Sequence, residues 1–168
     1  PEWTHGRQVA LWFEFRTQRP STFLLHHSPL QVEEGSAKPQ LRVYLWNGQL
    51  NVTHHYAQYE ETVTVSKGLN HDTWHKVSLS LDAESGELGV SVDERYNQTM
   101  GLLAFSEGTA REGYREGRVI SIVSVGGFSP EALQENTHFV GCIREIHFHD
   151  TAMGQFTPQV FAQAEVEL

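Results

Sequence analysis

The sequence predicts an all-β fold, a two-sheet antiparallel β-sandwich of the jelly-roll type. Apolar and polar residues alternate with a period of two in several segments, such as residues 41–45, as expected for half-buried strands. Turn signals recur about every eight to twelve residues, among them Asn47-Gly48, a strong hairpin signal. The best helical candidate is only the short segment 130–134. Many short strands with frequent turns are typical of sandwiches and jelly rolls.

The predicted strands are rich in β-branched and aromatic residues or alternate clearly between apolar and polar positions. In chain order they are residues 9–15, 22–26, 41–45, 50–54, 62–65, 74–81, 88–93, 119–125 and 143–149. The segment 16–21 contains Pro20 and is predicted to be a turn, and residues 28–39, with two prolines, a surface loop.

Length and charge limit the possible functions. The 168 residues fit one domain, 1–168, and we expect it to be a piece of a larger protein. The 21 acidic residues outnumber the 12 basic ones, giving a net charge of −9, which argues against nucleic acid as a partner. No apolar run approaches the roughly 20 residues that cross a bilayer, so direct membrane insertion is not expected.

No set of residues in the sequence indicates catalysis. A retaining glycosidase needs two carboxylates about 5 Å apart, and Glu14 has no acidic neighbour two positions away on its strand. Cys142 lies within a predicted strand, where a buried, inert thiol is the ordinary case. His147 and His149 would share one strand face, but zinc needs a further ligand, and solvent-facing histidines are the simpler interpretation. We therefore expect a protein that is not an enzyme.

Three segments resemble the late strands of laminin G-like (LNS) domains: residues 72–77, 88–93 and 138–148, with the sequences DTWHKV, LGVSVD and HFVGCIREIHF. The resemblance extends from about Val9 to Phe148. It implies a concanavalin- or laminin G-like sandwich, as in laminin alpha chains, neurexins and large Fat- or Flamingo-type cadherins. It further implies a non-catalytic extracellular module for cell adhesion, from the ectodomain of a cell-surface protein or from a matrix protein, with a receptor or matrix protein as partner.

The resemblance also carries expectations about cofactors and Cys142. Many such domains bind calcium through an acidic residue before one strand and another at the start of a second; here these positions hold Pro39 with Gln40, and Arg118. The usual calcium site is therefore expected to be absent, and no cofactor is predicted; a displaced site using Asp72 or Glu116 is the open alternative. Family members often pair the cysteine equivalent to Cys142 with a later one. The resemblance therefore implies a disulfide partner outside this chain, unless this member has lost the bridge.

Some relatives enclose a steroid between the sheets, but here large side chains are expected to fill that space: Trp12, Phe13, Phe15, Phe23, Trp46, Trp74 and Phe148. Binding is instead expected at loops on the rim, through exposed tyrosine and arginine side chains: Tyr56, Tyr59, Arg111, Tyr114, Arg115 and Arg118.

Two sequons, at Asn51 and Asn97, predict a glycoprotein, with Asn51 on the solvent side of its strand. The alternative functions are a lectin-like or glycosaminoglycan-binding domain, or a structural spacer between modules.

Overall fold

The computed structural model describes residues 8–29, 40–82, 84–106, 121–125 and 139–150. Within these ranges the elements in chain order are β1 (Gln8–Arg16), β2 (Thr22–Pro29), β3 (Gln40–Trp46), β4 (Gln49–Tyr56), β5 (Tyr59–Val65), β6 (His75–Asp82), β7 (Glu87–Val92), β8 (Tyr96–Gly101), α1 (Leu103–Ser106), β9 (Ser121–Val125) and β10 (Cys142–Asp150). The helix predicted at 130–134 lies outside the described residues.

The described strands form two antiparallel five-stranded sheets. Sheet I has the order β10-β1-β6-β7-β8, and sheet II has the order β5-β4-β3-β2-β9. The predicted all-β sandwich is confirmed. The Asn47-Gly48 hairpin is confirmed too, because β3 ends and β4 begins on either side of these residues, whose φ angles of 50° and 72° suit a type I′ turn.

The core lies between the two sheets and is formed by alternate residues of strands such as β1, β4, β6 and β7. On β1 these are Leu11, Phe13 and Phe15, and on β4 they include Leu50 and Val52, all at most 2 % exposed. Because successive side chains on a strand point to opposite faces, the same alternation sends Trp12, Glu14 and Arg16 to the outer face of sheet I.

Two of the aromatic residues expected in the core are found on the surface instead. Trp12 is 36 % exposed and Trp46 is 57 % exposed, whereas Phe13 and Phe15 are buried. Phe23 and Trp74 are half-buried, and the side chain of Phe148 lies outside the description. The expectation was wrong for the two tryptophans because each occupies an outward position of its strand, next to inward neighbours that already fill the core. The two tryptophan side chains are therefore exposed on the outer faces of opposite sheets.

The turn between β6 and β7 packs directly on α1. Gly86 has a φ of 72°, and its carbonyl accepts a hydrogen bond of 2.8 Å from the backbone of Leu102. A Cβ atom at Gly86 would collide with the side chain of Phe105, which is 1 % exposed.

Gly86→Ala should therefore destabilise the domain by about 2 kcal/mol or more, because it adds both an unfavourable φ and a steric clash in a packed region. Gly101→Ala is the matched control, since a Cβ there would meet no atom within 4 Å. Urea unfolding measures the free energy of unfolding of both variants. Equal stability of the two variants would show that the turn does not pack on α1 in this way.

Candidate functional site

The two described tyrosines of the predicted binding rim, Tyr56 and Tyr59, are buried and half-buried, respectively. Tyr56 is the last residue of β4 and is 7 % exposed, on the same side as Leu50 and Val52. Tyr59 begins β5 and packs against the core. The expected exposure was wrong for Tyr56, which extends the core-facing row of β4. Tyr59 keeps part of its surface exposed, and a role of these tyrosines in binding stays a prediction. Arg111, Tyr114, Arg115 and Arg118 lie outside the described residues.

The two sequons have very different surroundings. Asn51 is 8 % exposed: its Oδ1 accepts a hydrogen bond from Thr64 Oγ1 at 2.7 Å, and its Nδ2 donates to the Gln49 carbonyl at 3.1 Å. The expectation that Asn51 faces water was wrong, because neighbouring strands cover the outer face of β4. Asn97, on the edge strand β8, is exposed.

The outer face of sheet I carries an open groove, which we call the Trp12 groove, with a volume of about 530 Å³. Strands β1, β6 and β10 supply its lining: Trp12, Phe13, Glu14, Lys76, Arg144, Glu145 and His147. Tryptophan, histidine and both signs of charge thus meet on a surface that the sequence analysis did not single out.

A β-bulge in β10 brings this set together. Trp12 pairs with His147 and Glu14 with Arg144, so the register shifts by one residue between these two pairs. In a regular strand, positions three apart would face opposite sides of the sheet. The extra residue, accompanied by a positive φ of 52° at Glu145, places Arg144 and His147 on the same outer face.

The groove's aromatic and charged side chains hold one another in place. The rings of Trp12 and His147 are stacked, with centroids 5.1 Å apart and an interplanar angle of 15°. Arg144 Nε donates to Glu14 Oε2 at 2.6 Å, and its guanidinium lies 3.9 Å from the ring centroid of Trp74. Exposed ion pairs contribute only about 0–1 kcal/mol to stability, so their main effect here is to fix side-chain positions.

Further ion pairs continue along the same face. Arg16 lies 3.6 Å from Asp72 and also donates to Cys142 Sγ at 3.6 Å. The expected burial of the Cys142 thiol was wrong, because Cys142 lies at the exposed start of the edge strand β10. The hydrogen bond to Cys142 and the carboxylate of Asp72 raise the pKa of Arg16. Lys76 Nζ donates to Glu94 at 2.7 Å, and this hydrogen bond raises the pKa of Lys76 and lowers that of Glu94.

Thr73, His75 and Asp93 are connected in the order of a hydrolytic triad. His75 Nε2 is 3.1 Å from Thr73 Oγ1, and His75 Nδ1 is 2.8 Å from Asp93 Oδ2. The other carboxylate oxygen of Asp93 accepts from the Lys76 backbone at 2.8 Å. Asp93 begins the β7–β8 turn with a φ of 54°. We interpret these bonds as a brace that attaches this turn to the start of β6.

Potential metal ligands are not grouped together in the part of the chain that the structure describes. In these ranges no three His, Cys, Asp or Glu side chains form a group that could hold one. Of the positions expected to lack calcium ligands, Pro39 and Arg118 lie outside the description. The side-chain oxygen of Gln40 accepts from Arg42 at 3.2 Å, and a guanidinium at that point does not suit a calcium ion.

One histidine is deeply buried away from these surfaces. His54 is 1 % exposed and its ring lies 6.1 Å from that of Phe105. Desolvation, followed by the charge of neighbouring His55, lowers the pKa of His54 from 6.5 to about 4. The ring is therefore neutral at physiological pH.

Comparisons with known proteins identify the sandwich. The family model described as "Laminin G domain" matches residues 15–151. Domains LG4-5 of the mouse laminin alpha1 chain superpose with a TM-score of 0.60 at 16 % identity, covering 88 % of this chain and 36 % of that one. The LG1-3 region of the laminin alpha2 chain gives a TM-score of 0.59 at 16 % identity, covering 88 % of this chain and 28 % of that one.

The Ruminococcus gnavus IT-sialidase CBM40 bound to alpha2,3 sialyllactose gives a TM-score of 0.55 at 14 % identity, covering 88 % of this chain and 77 % of that one. At such identities these structures share the fold with the chain. The family match spans most of the sequence, and the chain belongs to the laminin G domain family.

The chain spans about a third of the length of the two laminin structures. Within the part that the structure describes, no helix has the length and apolar character to cross a membrane.

Stability should fall as the pH decreases from about 6.5 to about 4. The unfolded state binds a proton at His54 first, because the folded pKa is lower, so about 3 kcal/mol is lost over this window and no more below it. His54→Gln should flatten this part of the stability profile, whereas His71→Gln, at an exposed position, should not. Urea unfolding at several pH values measures the free energy of unfolding of each variant. An unchanged profile in His54→Gln would contradict the assignment.

Proposed function

We propose that this domain is a non-catalytic recognition module of an extracellular protein, and that it binds a protein partner through the Trp12 groove. The observation that carries the proposal is the stack of Trp12 on His147 beside the Arg144–Glu14 ion pair. Tryptophan and arginine are the residue types most enriched at energetically dominant positions of protein interfaces.

The side chains of the groove are already held in fixed positions, which lowers the entropic cost of binding. Arg144 is held by both Glu14 and the Trp74 ring, so a partner would not have to immobilise a free arginine side chain. The groove is also open and lies on a sheet face, which suits contact with another protein surface better than enclosure of a small molecule. Its mixture of charges suits a partner with complementary alternating charges rather than a polyanion.

Membership of the laminin G domain family supports a role in cell adhesion or in contact with a receptor or matrix protein, and with it an extracellular location. The exposed thiol of Cys142 is compatible with a disulfide to a cysteine outside this chain. The rim loops of the sequence analysis are not needed in this proposal, because Tyr56 and Tyr59 face the core.

Trp12→Ala and Arg144→Ala should each weaken binding to cells or matrix roughly tenfold or more, because each removes a preordered side chain from the centre of the groove. Binding of the tagged domain is measured by flow cytometry on a panel of cell lines and by adsorption to deposited matrix.

Arg95→Ala is the matched control, since Arg95 is an exposed arginine outside the groove, and it should bind like the unchanged domain. Circular dichroism confirms that all variants are folded. Binding that survives both groove substitutions, or a domain that binds neither cells nor matrix, would contradict the proposal; the second result would favour a structural spacer.

Glycosylation should occur at Asn97 and not at Asn51 in protein secreted from human cells. A glycan on Asn51 would require loss of its two hydrogen bonds and of its burial beside Thr64, whereas Asn97 points into solvent. Enzymatic deglycosylation in heavy water, followed by peptide mass spectrometry, measures the occupancy of each site. Asn97→Gln should abolish the whole mass difference between the protein before and after deglycosylation. A glycan found on Asn51 in folded protein would refute the prediction.

A further inference from the structure

The glycosylation site predicted at Asn97 and the Trp12 groove are connected by one line of paired residues across sheet I. Asn97 is paired with Ser91 on β7, and Ser91 with Ser78 on β6. Ser78 is paired with Trp12 on β1, and Trp12 with His147 on β10. We call this line the Asn97 row; it consists of His147, Trp12, Ser78, Ser91 and Asn97.

The side chains of the Asn97 row share the outer face of sheet I. Ser91 lies between two buried valines of β7, so its side chain points away from the core. Directly opposite residues of two antiparallel strands project to the same side of the sheet, so Asn97 points the same way as Ser91. Ser78 and Trp12 likewise alternate with buried residues of β6 and β1. A glycan on Asn97 therefore begins on the face that carries the Trp12 groove.

The path from Asn97 to Trp12 is short and low. Neighbouring strands lie about 4.8 Å apart, so three strand spacings place the two backbones roughly 14 Å apart. The two positions between them in the row are the serines Ser78 and Ser91. An oligosaccharide of a few sugars spans such a distance, whereas its first sugar alone does not.

The uncovered face of the Trp12 ring is directed along this path. Trp12 is stacked on His147 with ring centroids 5.1 Å apart and an interplanar angle of 15°. This separation is close to the spacing of about 4.8 Å between strands, so the two rings stand side by side on β1 and β10. The opposite face of the indole is therefore directed toward β6, where the paired residue is Ser78. Trp12 is 36 % exposed, which leaves apolar area for a contact.

We propose that the N-linked glycan of Asn97 lies along the Asn97 row against the Trp12 ring, and so competes with the protein partner of the Trp12 groove. The inference rests on the proposed function of that groove and on the glycan predicted at Asn97. Attachment joins C1 of an oligosaccharide, supplied as a lipid diphosphate ester, to Asn97 Nδ2; the lipid diphosphate leaves and the nitrogen loses one proton.

The groups that the glycan meets suit the neutral sugars of its core. The C–H faces and acetamide methyl groups of these sugars pack on the indole of Trp12, which removes apolar surface from water. The hydroxyls of Ser78 and Ser91 can each donate and accept hydrogen bonds with sugar hydroxyls. Because both serines are uncharged, the glycan does not have to desolvate an ionised group along the row.

The strength of the competition is set by one equilibrium. If the glycan lies on the row K times as often as it leaves it, the exposure of this Trp12 face and the apparent affinity for the partner both fall by a factor of 1 + K. A threefold effect requires a K of only about 2. Attachment to the same sheet raises the effective concentration of the sugars at Trp12, so a weak contact is sufficient.

Hydroxyl-radical footprinting with peptide mass spectrometry tests the contact without any partner. Trp12 should be oxidised roughly threefold more slowly in the glycosylated domain than in Asn97→Gln. Trp46 is the internal reference, because it is 57 % exposed on the other sheet and should be oxidised equally in both proteins. Enzymatic trimming of the glycan to its first sugar should restore fast oxidation of Trp12, because one sugar does not cross roughly 14 Å.

The matched control moves the glycan to the other sheet. Asn97→Gln combined with Glu60→Asn removes one sequon and creates another with Thr62 on β5, the edge strand of sheet II. This glycoprotein and Asn97→Gln alone should bind cells equally, and both roughly threefold more tightly than the unchanged glycoprotein. Flow cytometry over a range of domain concentrations measures the three affinities.

Equal oxidation of Trp12 with and without the glycan, protection that survives trimming to one sugar, or a secreted domain without a glycan at Asn97 would overturn the inference. So would cell binding that is the same with and without the glycan. A domain that binds no cells in any form would contradict the proposed function of the groove, and the oxidation of Trp12 would still decide whether the glycan lies on the row.

Discussion

Strand β1 is the element on which both the fold and the Trp12 groove depend. It pairs with β6 on one side and β10 on the other, so its backbone hydrogen bonds leave no freedom to rotate. Its alternate residues must therefore serve two purposes at once. Leu11, Phe13 and Phe15 bury one face in the core, and the same period of two directs Trp12 and Glu14 outward. Any shift in register would lose core and groove together.

Alternation let the sequence predict most of this architecture but not its surface chemistry. The period of two located β1, β3, β4 and β6, and the Asn47-Gly48 pair located a turn. Strand β8 was missed because it is an edge strand with five of six residues exposed, and so has no apolar pattern to detect. The Trp12 groove was missed because the bulge in β10 adds one residue and interrupts the pattern that would relate Arg144 to His147.

The polar face of β4 shows why facing direction does not determine exposure. Asn51 and Thr53 are correctly assigned to the outer face, yet they are 8 % and 4 % exposed. Their neighbours on the flanking strands cover them: Thr53 Oγ1 is 2.8 Å from Thr62 Oγ1 and 3.4 Å from the Tyr44 hydroxyl. Such a ladder of side chains can be predicted only when the cross-strand register is known. Alternation along one strand carries no information about which residues lie opposite each other on the next strand.

The distribution of charge on the outer face of sheet I differs from the acidic balance of the whole chain. On sheet I, acidic and basic side chains neutralise one another in pairs such as Arg144–Glu14 and Lys76–Glu94, so a partner meets an ordered surface with little net field.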